Sequence, residues 1–118
     1  MAASPAIDPQ AIANLRALSP DDNDEFLREI VGLFLEDTPQ RIVELEQSLA
    51  AGDVPKFTRA AHSIKGSSSN LGASALRAVA EKLEHQSRSG LTDLAPLIAT
   101  VKTEFAHAQA ELNKLIGK

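Results

Sequence analysis

The apolar residues of this chain recur at steps of three and four and never in sustained alternation, which confines it to packed helices. The cleanest run extends from about Thr92 to Ile116, where Leu94, Leu97, Ile98, Val101, Phe105, Ala108, Leu112 and Leu115 mark one helical face. Pro96 is tolerable there only because it falls near the start of the helix. A longer run from about Asp24 to Ala51 carries Phe26, Leu27, Ile30, Leu33, Phe34, Ile42, Leu45 and Leu49, and Pro39 inside it predicts a kink or a short break.

The punctuation between the runs divides them. Asp8-Pro9 supplies a cap and a first-turn proline for a short helix through Ile12, Leu15 and Leu18, closed by Ser19-Pro20-Asp21-Asp22. Gly52-Asp53 stops the long helix and caps the next, with Pro55 in its first turn and Val54, Phe57, Ala61, Ile64, Ser68 and Leu71 on one seam. Asn70-Leu71-Gly72 reads as a turn, and a further helix holds Leu76, Val79, Ala80 and Leu83 before ending near Ser89-Gly90. Four amphipathic helices on short connections predict an all-α fold: an antiparallel four-helix bundle with an additional short N-terminal helix at one end. One domain is expected over residues 8–118, with a disordered N-terminus over residues 1–7.

Composition narrows the function classes. A net charge of −4 argues against nucleic acid or an anionic membrane as the main partner. The absence of cysteine excludes disulfides, thiolate metal sites and cysteine catalysis. No run is apolar enough to span a bilayer, and Met1–Gln10 lacks the pattern of a signal peptide, so a cytoplasmic protein is expected. There is no Gly-rich phosphate loop or kinase signature, and hence no recognisable means of binding ATP.

The chemistry is concentrated in the segment Ala61–Ala73, AHSIKGSSSNLGA. With the seam through Ala61, Ile64 and Ser68, helical geometry puts His62, Lys65, Gly66 and Ser69 together on the opposite side, one turn apart. An ordinary imidazole titrates near about 6.5, so much of it is neutral and nucleophilic at neutral pH. Lys65 could balance the charge of an incoming phosphoryl group. Gly66 costs the helix about 1 kcal/mol relative to alanine, and on this face it gains no core contact. It either lets something approach His62 or is a tolerated surface glycine; a lone exposed histidine, likewise, is more often simply solvated.

The segment resembles the phosphorylation-site motif of histidine-containing phosphotransfer (HPt) domains, the intermediate carriers of multistep phosphorelays. The likeness extends over roughly Asp8 to Lys118, through the helix order, the proline-interrupted long helix, the turn at Ala50–Asp53 and the Leu83-Glu84 pair. It implies that His62 accepts a phosphoryl group on its outer ring nitrogen from the aspartyl phosphate of a receiver domain and passes it to another. It implies that Lys65 contacts the phosphoryl oxygens, that Gly66 leaves room for the receiver's loop, and that Ser67, Ser69 and Asn70 lie at the docking surface or close the turn, where Gly72 has a structural task. Glu84 occupies the position from which relatives hydrogen-bond the inner ring nitrogen; alternatively it forms a surface pair with Arg88, as Arg77 does with Glu81.

The implied partners are receiver domains of response regulators or hybrid histidine kinases. The chain is expected to be a monomeric carrier without autokinase activity or a cofactor of its own, the Mg2+ residing on the receiver. An initiating Met favours a free-standing carrier over a domain of a hybrid kinase. The alternatives are the histidine-bearing substrate domain of a chemotaxis-type kinase and a non-catalytic helical adaptor. His85 and His107 are expected to be solvated without carboxylate partners, and Asp21, Asp22 and Asp24 to serve a helix start rather than a metal.

Overall fold

Caps and turn glycines cut the chain into five helices. The structure, a computed structural model, describes residues 6–117. The helices are α1 (Pro9–Leu18), α2 (Glu25–Ala51), α3 (Val54–Leu71), α4 (Ser74–Ser87) and α5 (Ala95–Leu115), with no strand among the described residues. Around the bundle α3 packs against α2 and α4, α5 closes the ring against those same two helices, and α1 lies against α2 and α3. None of the helices is long and apolar enough to cross a membrane.

Each start has a local cause. Asp8 caps α1 by accepting from the Gln10 N–H, with Pro9 in the first turn; Asp53 caps α3 by accepting from the Lys56 N–H, with Pro55 just inside. At α2 the N-cap residue Asp24 lies in the left-handed region and pairs with Arg16 at 3.1 Å, while Asp22 Oδ2 accepts from the first-turn Phe26 N–H at 2.9 Å. Asp22 and Asp24 are therefore engaged in helix initiation and a link to α1.

The expected interruption at Pro39 takes no form of a break: α2 is continuous for 27 residues. Phe34, Thr38, Ile42 and Leu45 are buried on either side of the proline and hold both halves of the helix on the core, offsetting the roughly 3 kcal/mol such a residue costs. The seam of α2 also differs from the apolar pattern. Val31, Thr38 and Ser48 are buried in it, whereas Leu33 is 57% exposed. Likewise α4 ends at Ser87 rather than near Ser89-Gly90, and α5 begins at Ala95 rather than near Thr92, with Asp93 in the left-handed region between them.

Two features tie the N-terminal segment down. Gly72, at φ +71°, ends α3 and receives the Asp8 N–H on its carbonyl at 2.8 Å; a Cβ there would lie 2.7 Å from the Ala11 Cβ. The turn thus needs glycine both for its backbone and for the close seating of α1. The expectation of a disordered segment through residue 7 lies outside the described residues for positions 1–5, and for Ala6 and Ile7 it is corrected. Ile7 is buried in the core, and the N–H groups of Ala6 and Ile7 donate to the Glu111 carboxylate of α5 at 2.7 and 3.3 Å. The isoleucine's burial and this carboxylate clamp order the chain ahead of its first cap.

Candidate functional site

Helix α3 buries Ala60, Ala61, Ile64 and Ser68, which turns His62 outward; its side chain is 66% exposed. Across from it, α4 presents Glu84, the one charged residue buried among the described residues. Glu84 Oε2 lies 2.8 Å from His62 Nδ1, and Oε1 lies 2.6 Å from Lys65 Nζ. Arg88 reaches the same carboxylate only at 3.9 Å, so the i,i+4 surface pair is its weakest contact.

The Lys65 ammonium hydrogen-bonded to Glu84 holds its carboxyl below the usual glutamate range; burial opposes this, and the hydrogen bond and charge of His62 reinforce it. Glu84 is therefore a carboxylate, which can only accept. It follows that His62 Nδ1 donates, and that a neutral His62 keeps its lone pair on Nε2.

A consequence for stability follows. A carboxyl group held below its ordinary value in the folded state stabilises the fold fully above the unfolded value, and that contribution disappears as pH falls through the folded value. Glu84→Gln is expected to melt below the parent protein at neutral pH, with the gap narrowing on acidification through that range. Thermal melts by circular dichroism at a series of pH values check this; a gap independent of pH would contradict it.

The other expected site residues divide into two groups. A Cβ built on Gly66 meets no atom within 4 Å, and Gly66 and Ser69 are exposed on the His62 side of α3. Ser67 stands about 140° around the helix from His62 and bonds the carbonyls of Ser63 and Ile64 at 3.1 and 3.3 Å. With Asn70 it lines a groove between α2 and α3 whose floor includes Ile30, Leu33 and Phe34. Lys65 is only 25% exposed because it leans across to α4.

Three features escape the sequence pattern. Leu33 joins the apolar groove near the site although its spacing suits a core position. Thr58 of α3 and the fully buried Ser87 of α4 form a hydroxyl pair at 2.7 Å, beside the His62–Glu84 contact. His107, expected to lack a carboxylate, bonds Glu104 at 3.0 Å through an i,i+3 spacing on the outer face of α5. Among the described residues no group of three or more His, Asp or Glu is placed to hold a metal ion.

Comparison with known proteins bears on this arrangement. The Hpt domain family matches residues 29–112, which spans α3, α4 and the greater part of α2 and α5. Multistep phosphorelay regulator 1 of Schizosaccharomyces pombe is 33% identical over 92 residues, covering 75% of this chain and 31% of that protein. The chain thus spans about a third of the length of that curated relative. The crystal structure of histidine-containing phosphotransfer protein B from Pseudomonas aeruginosa PAO1 superposes with a TM-score of 0.84 at 32% identity, over 95% of each chain. The HPT domain of a Shewanella Hpt sensor hybrid histidine kinase shares the fold, with a TM-score of 0.71 at 15% identity over 90% of this chain and 92% of that one.

Proposed function

The chain belongs to the Hpt domain family, and on that premise we propose that it is a phosphorelay intermediate that carries a phosphoryl group on His62 between receiver domains. The observation that carries the reading is the shared carboxylate: Glu84 holds Nδ1 of an exposed imidazole with one oxygen and a lysine with the other. In the forward step the Nε2 lone pair forms the N–P bond as the aspartyl O–P bond breaks, and the aspartate leaves as a carboxylate. No proton need be lost, because Nδ1 already carries it. The phosphorylated ring is then cationic, and Glu84 lies against that charge.

Lys65 is close enough to exchange Glu84 for the phosphoryl oxygens, which balances the charge that arrives. The bare surface at Gly66 leaves the approach to Nε2 open. Ser69 lies on the same face, while Ser67 and Asn70 extend the docking surface toward the apolar groove at Leu33. The Mg2+ that transfer requires resides on the receiver. The chain acts in the cytoplasm as a phosphocarrier rather than a kinase, a reading supported by the lack of a nucleotide-binding motif.

Incubation with a receiver domain labelled by a small phosphodonor in the presence of Mg2+ is expected to move label onto this chain, and label is expected to return to a second, unphosphorylated receiver. Labelled ATP and Mg2+ alone are expected to leave the chain unlabelled. Stoichiometric labelling by ATP alone, or failure to take label from a range of phosphorylated receivers, would contradict the proposal.

A further inference from the structure

We propose that the Thr58–Ser87 hydroxyl pair between α3 and α4 is a positioning element that holds Glu84 in register with His62. The inference rests on His62 as the phosphoacceptor and adds two residues that the motif does not contain.

Helices α3 and α4 are antiparallel neighbours, and their cross-helix polar pairs repeat one turn apart. Thr58 faces Ser87, and four residues further along α3 and three back along α4, His62 faces Glu84. The surrounding buried positions are apolar, with small side chains at Ala60 and Ala61 on α3 and Ala80 on α4 and large ones at Phe57, Ile64 and Leu83. Apolar contact fixes no direction for a polar group, whereas a hydrogen bond fixes both distance and angle. The His62–Glu84 bond at 2.8 Å needs the tighter constraint.

Proton counting gives the pair a direction. Ser87 Oγ donates to the Glu84 carbonyl at 2.8 Å, so its single proton is spent and Thr58 must be the donor across the 2.7 Å contact. The chain of bonds therefore runs from α3 through Ser87 into the backbone of Glu84 itself. That carbonyl needs a partner. The Arg88 N–H, which an unbroken helix would direct to Glu84, turns instead to the carbonyls of His85 and Gln86 as α4 ends. Ser87 is fully buried, so water does not replace the bond. The last turn of α4, which carries the carboxylate, is thus fastened to the helix that carries the histidine.

The test compares Thr58→Val, which keeps the shape and removes the hydroxyl, with Thr58→Ser, which keeps the hydroxyl. Ser87→Ala and the double variant Thr58→Val with Ser87→Ala complete the set. The first readout is the His62 tautomer by 15N NMR of the imidazole, since the Glu84 bond favours the proton on Nδ1 against the usual preference of imidazole for Nε2. The second is the rate of phosphoryl transfer from a phosphorylated receiver, and the third is the melting temperature.

Thr58→Val is expected to shift the tautomer population toward Nε2–H and to slow transfer about fivefold, the factor one net hydrogen bond is worth. Thr58→Ser is expected to restore both, and the double variant to be no worse than the poorer single one. A Thr58→Val protein with lowered melting but parental tautomer and rate would overturn the proposal, as would failure of Thr58→Ser to restore them. The tautomer arm needs no phosphoryl transfer, so it decides the positioning role even if the parent protein accepts no label, an outcome that would count against the phosphoacceptor reading instead.

Discussion

Replacing His62 with Gln is expected to reduce phosphoryl acceptance to background while leaving the fold intact. The side chain is 66% exposed, and its one hydrogen bond among the described residues goes to Glu84. A glutamine amide can still donate to that carboxylate, and Lys65 continues to partner its other oxygen at 2.6 Å. The buried charge is therefore not orphaned, the circumstance that makes such losses costly. The melting temperature is expected to move by no more than about 3 °C, measured by circular dichroism because the chain has no Trp or Tyr to report fluorescence. Glu84→Ala stands in contrast. It leaves the nucleophile in place, releases the tautomer and frees Lys65, so transfer is expected to slow about tenfold without being abolished. Residual label on His62→Gln would place the acceptor elsewhere.

Gly66→Gln is expected to separate stability from function. A Cβ at position 66 meets nothing within 4 Å, so a larger residue displaces no neighbour. Glycine in a helix interior is about 0.6 kcal/mol less favourable than glutamine, which corresponds to a rise in melting temperature of about 2 °C in a domain of this size. Gly66→Ala is expected to gain somewhat more, up to about 1 kcal/mol. Function moves the other way. Position 66 lies about 40° around α3 from His62 and one turn along, so a long side chain there covers the approach to Nε2. Transfer from a phosphorylated receiver is expected to fall at least about tenfold, the factor that roughly 1.4 kcal/mol of lost docking or alignment represents. Transfer measured on the same sample as the melt checks both limbs. An unfolded Gly66→Gln protein would make Gly66 a packing residue, and unimpaired transfer would remove this face from the docking surface.

What the sequence discloses and what it withholds divide along a physical line. Helix starts and stops are local backbone chemistry, so Asp8-Pro9, Asp53 with Pro55, and the left-handed Gly52 and Gly72 mark them directly. The outward face of α3 is also local, because it needs only the phase of one helix. Burial of polar side chains is another matter. Thr38, Ser48 and Ser87 occupy core positions that an apolar pattern passes over, and Leu33 is apolar but exposed.

The register between α3 and α4 is a property of two helices, and no spacing along one of them reports it. The resemblance to HPt domains supplies the Glu84–His62 pairing. It does not supply the hold of Glu84 on Lys65, the burial of that carboxylate or the Thr58–Ser87 bond, each of which depends on where one helix sits along the other. The N-terminal anchor is non-local in the same way: Ala6 and Ile7 find Glu111 more than a hundred residues away.

The chemistry of the carrier converges on a single atom, the Nε2 of His62. Protein carrying 15N-labelled imidazole, phosphorylated by a receiver domain and observed by 15N and 31P NMR, reads out that atom directly. One N–P bond is expected, at Nε2 of His62, with Nδ1 still protonated against Glu84. A phosphoryl group on Nδ1 of His62, or on His85 or His107, would contradict it.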